Sequence, residues 1–401
     1  MNFKTLYKSV SLLILLVSLG CTEEFPLVTE SFEDVLVVEA TITDELKTQQ
    51  IKISRTFDLE AGNSPEFVTN ANVRIEASNN NIYNFVSSGS GIYTSANEFK
   101  AEQGVAYKLI ITTDGKEYES NEEVLAPQAE IEDFYAELIT SEEKVGVQVF
   151  VDSNDNLGGA NYFRYEYEEA YQVIPIFYYP LDLIPVNVQN AETDSISYDL
   201  REESRPESER VCYSYNNSNE IILTNTNGLT EQKVSRFPVR FIPANDDRLR
   251  DRYSILVKQY VQSADANNFY KVLRDLSSDE SLLIDNQPGF IRGNISSSQN
   301  EEEKVLGFFD VSSVSSKRIF FNYEDFGLDV PPYFFTCEII KYNTEITGPP
   351  TNERLRLYQF LVNRGYKFFG SEEEDEYSIV RPECGNCSSF ASSIKPEFWE
   401  D

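Results

Sequence analysis

The sequence predicts a mainly β protein: an N-terminal immunoglobulin-like sandwich, then a larger β-rich domain resembling a fibronectin-like sandwich, with one or two helices. Three observations carry this. Short runs rich in β-branched and aromatic residues recur from residue 35 onward. Within them apolar and polar side chains alternate, the period of a half-buried strand. Turn-forming residues separate the runs at short intervals.

The runs "VLVVEATI" (35–42), "QQIKISRTF" (49–57), "NVRIEA" (72–77), "NIYNFV" (81–86) and "YKLIIT" (107–112) come first. Ile51 and Ile53 alternate with Lys52 and Ser54, so one face is buried and the other wet. "TTDGKEYES" places Asp114-Gly115 at a hairpin, since both residues tolerate positive φ. About seven strands in some ninety residues fit an immunoglobulin-like sandwich over 35–127. "APQAE" (126–130) marks the boundary with a second domain over 128–401.

In that second domain "KVGVQVFVD" (144–152) alternates well. "NYFRYEYEEAYQV" (161–173) puts Phe163, Tyr165, Tyr167 and Tyr171 on one face, read as core rather than a sugar-stacking platform, and Arg164, Glu166 and Glu168 on an outward face. "DSNDNLGG" (152–159) opens with Asp152, Asn154 and Asn156 at calcium-loop spacing. Leu157 and Phe163 stand where that loop needs glycine and glutamate, so an Asn/Gly turn is expected and calcium near Asp152 stays open. In "YQVIPIFYYPLDLIPVNV" (171–188), Pro175, Pro180 and Pro185 each lack a backbone donor, which argues against a central strand. This segment is either a lid on its own sandwich or an apolar docking loop, in which Phe177, Tyr178 and Tyr179 would contact a partner. "RYSILVKQYVQS" (252–263) reads as a long strand followed by a helical insertion at about 263–277. Ser263 is placed to cap that helix, and Phe269, Val272, Leu273 and Leu276 form its apolar face. "TNERLRLYQFLVNRG" (351–365) is a second helix ending at Gly365, with strand as the alternative.

The N-terminus carries a different signal. Lys4 and Lys8 precede an apolar run too short to span a bilayer, the pattern of a secretory signal peptide over 1–20. Gly20-Cys21 resembles the lipobox of bacterial lipoproteins, with Ser18 where leucine is usual. The expectation is that Cys21 is lipidated and heads an acidic tether over 21–34. "TEEF" behind it resembles the export signal of Bacteroidetes surface lipoproteins. The chain is expected on the outer membrane by its lipid, at the cell surface rather than the periplasmic face.

Composition narrows the chemistry. Thirty-four Lys and Arg face 67 Asp and Glu, a formal charge of −33, which argues against nucleic acid as a partner. The sequence has no histidine, the usual base for serine and cysteine nucleophiles and the commonest zinc and iron ligand. No metal, cofactor or catalytic residue is assigned. Beyond Cys21, the four cysteines Cys212, Cys337, Cys384 and Cys387 suggest two structural disulfides in an exported chain. Cys384 and Cys387 have CxxC spacing but lack a βαβ setting; three connectivities are open.

"LVVEATITDE", "NYFRYEYEE", "RYSILVKQYVQSADANNFYKVLRDL", "NQPGFIRGNISS", "GFFDVSSVSSKRIFF", "PECGNCSS" and the terminal "IKPEFW" occur in order. Together they resemble the lipoprotein family of the domain of unknown function 4249, over nearly the whole chain beyond residue 20. Phe390-Ala391-Ser392-Ser393 departs from the Gly-Gly-Thr-like stretch common there. The resemblance implies a Bacteroidetes outer-envelope lipoprotein, often encoded beside a TonB-dependent outer-membrane transporter, and implies no activity. The reading adopted is a non-catalytic accessory or binding subunit of such a transporter. A structural or adhesive surface lipoprotein is the alternative, and a carboxylate-based glycan-active enzyme, which needs no histidine, comes third.

Overall fold

The computed structural model describes residues 34–57, 66–155, 158–229, 233–277, 290–300, 302–346 and 352–400. Cys21, the signal peptide and nearly all of the tether lie outside them. The fold is mainly β, with several sheets and a few short helices.

The N-terminal sandwich contains β1 (Leu36–Thr43), β2 (Gln50–Arg55), β3 (Glu66–Phe67), β4 (Asn72–Ala77), β5 (Ile82–Gly89), β6 (Ile92–Ser95), β7 (Ala106–Thr113), β8 (Lys116–Ser120) and β9 (Glu123–Val124). Alternation works as expected: Ile51, Ile53, Val73, Ile75, Leu109 and Ile111 share one buried core. Asp114 and Gly115 turn the β7–β8 hairpin at φ 52° and 75°.

Next come β10 (Glu130–Ser141), β11 (Lys144–Asn154), β12 (Tyr162–Val173), β13 (Leu181–Gln189), β14 (Ser197–Ser204), β15 (Cys212–Asn217), β16 (Ile222–Asn225), β17 (Lys233–Pro243) and β18 (Tyr253–Val261). Helix α1 (Ala264–Ser277) follows, its first turn capped by the Ser263 hydroxyl, which accepts from the Ala266 N–H at 3.1 Å. Then come β19 (Ile295–Ser297) and β20 (Val305–Phe321).

The long strand β20 ties the two sandwiches together. Its first half runs parallel to β1, from Leu36 opposite Val305 to Thr43 opposite Ser312. Its second half runs antiparallel to β18, from Val261 opposite Ser313 to Tyr253 opposite Phe321. The N-terminal sandwich is therefore not confined to 35–127. Its sheet runs β20-β1-β2-β6-β5-β4-β7-β8-β19, and its two end strands come from residues 295–312. The ends meet through Asn294, whose amide donates to the Phe309 carbonyl at 2.9 Å and accepts the Phe309 N–H at 2.8 Å. One side chain thus substitutes for a rung of strand pairing. The backbones touch here: a Cβ on Gly293 would lie 1.6 Å from the Gly307 carbonyl oxygen. The runs "RGNISS" and "GFFD" are thus the two lips of one seam.

In the second sandwich, sheet β10-β11-β17 packs against β15 and β16, β12, β18 and β20. Val147, Val149 and Val151 meet Phe163, Tyr165, Ile255 and Val257. The aromatic face of β12 is core, as expected. Its opposite face is wet only in part: the Glu166 and Glu168 side chains are 43% and 46% exposed, as expected, but Arg164 is only 8% exposed. Helix α1 folds back over the Arg164 end of that face, where Tyr270 meets its guanidinium.

The rest of the chain forms a small C-terminal unit. The hairpin β13–β14 packs beside β21 (Ile340–Asn343), β22 (Lys367–Gly370) and β23 (Glu376–Val380), with α2 (Glu353–Tyr358) and α3 (Pro382–Gly385). Pro185 sits in a two-stranded ribbon opposite Leu200, where a missing donor is tolerated. Helix α2 continues as a π-turn over 359–363, and Gly365 follows at φ 68°. Cys212 pairs with Cys387, and Cys337 with Cys384, so neither member of the CxxC bonds the other.

Candidate functional site

The covered face of β12 belongs to a cleft between the two sandwiches. Register puts Arg164 opposite Tyr260, and Thr41 opposite Asp310, on one continuous sheet face. Helix α1 contributes Tyr270 and Leu273, and the turn before β16 contributes Ile221. A cavity of about 660 Å³ lies against β1, β2 and this helix. A second of about 340 Å³ lies along β12 and the 217–221 turn, and the two share Arg164, Glu166, Ile221 and Tyr270.

Arg164 is the centre of the arrangement. Its guanidinium lies 4.4 Å from the Tyr260 ring centroid and 4.9 Å from that of Tyr270, and Nη1 pairs with Glu166. Burial opposes its charge, but Tyr270, Glu166, Tyr260 and Asp310 together outweigh that and hold the proton. Glu166 accepts the Tyr260 hydroxyl at 3.0 Å. Burial pushes its carboxyl up, yet Arg164 prevails and holds it below the usual glutamate range.

Beneath this pair lies Asp310, 1% exposed. Its Oδ2 accepts from Ser312 Oγ and Gln262 Nε2, both at 2.7 Å. Its Oδ1 has no protein partner. Burial raises its pKa, against the pull of Ser312, Gln262 and Arg164. Arg164 Nε, Gln262 Oε1, Thr43 Oγ1 and Asn267 Nδ2 are likewise buried without a protein partner. They come from β12, the end of β18, β1 and α1, the elements that meet at this junction. An orphaned buried polar atom costs about 1–3 kcal/mol, and of these residues Arg164 and Thr43 line the cavities.

A second buried constellation lies inside the sandwich and is complete. Glu169, 2% exposed, accepts from Arg240 Nε at 2.8 Å, Arg248 Nη1 at 3.0 Å and the Tyr253 hydroxyl. Both its oxygens are satisfied, which suits a structural ion pair.

The other residues singled out fall elsewhere. Asp152 Oδ1 accepts the Arg236 N–H, and Asp155 accepts the N–H groups of Gly158 and Ala160. Asn156 is outside the described residues. Among the described residues no three His, Cys, Asp or Glu side chains group to hold a metal ion. Phe177, Tyr178 and Tyr179 are half-buried against the C-terminal unit rather than on their own sandwich. Phe177 meets Phe369 at 4.9 Å, and Tyr179 meets Phe368 at 5.3 Å. Arg205 covers Tyr178 at 4.9 Å and donates to the Gly385 carbonyl at 2.6 Å. The four cysteines lie together at the base of that unit. Sequence reading missed Arg164, Tyr260, Tyr270 and Asp310 as a group. The one available hint was an arginine inside a tyrosine-rich strand, which on its own looks like any outward charge.

The family model described as "Domain of unknown function (DUF4249)" matches residues 22–318. The chain belongs to the DUF4249 family. The match ends within β20, so "PECGNCSS" and "IKPEFW" lie beyond it, a shorter span than the sequence resemblance implied. The cleft residues Thr41, Arg164, Tyr260, Tyr270 and Asp310 all lie within the DUF4249 region. No curated protein matches the chain. Among solved structures, a DUF4785 family protein from Legionella pneumophila subsp. pneumophila str. Philadelphia 1 is similar at 10% identity and a TM-score of 0.16. That match covers 55% of this chain and 51% of the other, so the chain spans about half the length of the structure it matches. A TM-score so low adds nothing to the reading of this DUF4249 protein.

Proposed function

We propose that this DUF4249 protein is an outer-membrane lipoprotein, held by lipid on Cys21, that binds a ligand in the inter-sandwich cleft without transforming it and works beside a TonB-dependent transporter. The observation that carries the binding role is the cleft itself, two adjoining cavities that share the Arg164–Glu166 pair, Ile221 and Tyr270. The lipobox-like Gly20-Cys21 and the family support the anchoring and the transporter. The half-buried aromatics Phe177, Tyr178 and Tyr179 remain the proposed contact with that transporter.

Two measurements test this. Mass spectrometry of the N-terminus is expected to find an acylated Cys21; a free N-terminus at another residue overturns the anchor. Affinity purification from membranes is expected to bring down a β-barrel protein. Purification of the chain alone from intact membranes overturns the partnership.

A further inference from the structure

The cleft's lining says which kind of ligand it suits. Its basic residues are already committed: Arg164 to Glu166, Lys258 to Glu168, Lys52 to Glu39 and Lys47 to Glu45. Among the described residues the lining therefore offers an anion no uncommitted cation, and the surplus of acid on the whole chain repels it further.

A peptide in extended form would need a free strand edge. Strands β1, β2, β12 and β18 are each paired on both sides, so the floor presents side chains and no ladder. What the lining does present is a planar, bidentate hydrogen-bonding pair beside apolar groups. Arg164 and Glu166 stand next to Ile92, Ile221, Leu273 and the Tyr270 ring. Donor and acceptor come as neighbours, which matches adjacent hydroxyls, each able to give and to accept one hydrogen bond. The apolar side chains match the C–H faces of the same ring.

We infer that the cleft binds a neutral polyhydroxylated ligand, a short oligosaccharide, with Arg164 and Glu166 gripping neighbouring hydroxyls. This rests on the cleft being a binding site, as proposed above. A volume of about 660 Å³ is within the usual range for small-molecule sites and leaves room for more than one sugar ring.

The test uses the full chain in detergent. Isothermal titration is run at millimolar concentrations of neutral trisaccharides (maltotriose, cellotriose, mannotriose, chitotriose), with trigalacturonate and trialanine as the anionic and peptide probes. At least one neutral trisaccharide is expected to bind, and trigalacturonate and trialanine are not. Ile221→Trp, which intrudes on both cavities from a partly exposed turn, is expected to weaken that binding about tenfold or more at an unchanged melting temperature. Arg164→Lys keeps the charge but loses the planar fork, and is expected to weaken it as well. If trigalacturonate or trialanine binds instead, and Ile221→Trp blocks it, the cleft is a binding site and the sugar assignment is wrong. If no probe of any class binds, both readings fall. If a trisaccharide binds but Ile221→Trp leaves it unaffected, the ligand sits elsewhere and the inference is overturned.

Discussion

The N-terminal sandwich and the C-terminal unit solve the same problem in opposite ways. The first has a large core of regularly alternating strands and closes through Asn294; among the described residues it contains no disulfide. The second has a three-stranded sheet of strands four or five residues long beside one hairpin, and a core of six buried side chains. It relies on two disulfides, on edge-to-face aromatic contacts and on Arg205, which donates to the carbonyls of Tyr179 and Gly385. A small unit buries too little apolar area to offset its chain entropy, so cross-links and directional contacts take over. The two units should therefore respond to different insults.

The largest expected effect is in the N-terminal core. Phe309→Ala, at a fully buried position, should cost about 3–5 kcal/mol, read as a lower midpoint in urea denaturation. The C-terminal disulfides should stay formed, because no core residue of that unit is touched. Next is the covalent staple. Replacing Cys212 and Cys387 together by alanine opens a closure spanning 175 residues and should cost about 2–4 kcal/mol. Proteolysis is expected to cut first within 330–400, with the N-terminal sandwich left intact. Equal sensitivity in both units would break the contrast. Asn294→Ala should cost about 2–3 kcal/mol, by orphaning the buried N–H and carbonyl of Phe309. Hydrogen exchange at β19 and the first half of β20 should rise, while exchange in β22 and β23 should not.

A smaller effect concerns the joint between second sandwich and C-terminal unit. Asp251 accepts the Ile174 N–H at 3.1 Å where β12 hands over to the proline-rich segment. Burial raises its pKa to about 6, against the lowering by the Ile174 N–H and Arg250. A carboxyl raised on folding binds its proton more tightly in the native state, so its protonation favours the fold. That contribution is complete below the ordinary value of 3.8 and is lost as pH rises through about 6. Asp251→Asn should flatten the change in melting temperature between pH 4 and pH 6.5. An unchanged slope would mean the group does not titrate there. The last test is the triple substitution of Phe177, Tyr178 and Tyr179 by alanine, which removes aromatic contacts to Phe368 and Phe369. These side chains are half-buried, so it should loosen the C-terminal unit by less than Phe309→Ala loosens the N-terminal one, as compared by urea denaturation.

Local chemistry alone determined much of this protein. Alternation placed Ile51, Ile53, Phe163 and Tyr165 in cores, Asp114-Gly115 at its hairpin, Ser263 at the start of its helix and Gly365 after the second. Each depends on neighbours within a few residues, where the pleat or one helical turn fixes the geometry. The tertiary structure decided what comes from far along the chain. Pairing β1 with β20 joins Leu36 to Val305, and nothing near either residue specifies that parallel register. The outward face of β12 carries charge, and Glu168 stays wet, yet a helix a hundred residues later packs on Arg164 and makes it the centre of a cleft. Periodicity tells which side chains share a face. Which faces are buried depends on the elements that later pack against them. For the same reason four cysteines could be counted but not paired, since pairing requires the approach of β15, the 330s loop and α3 in space.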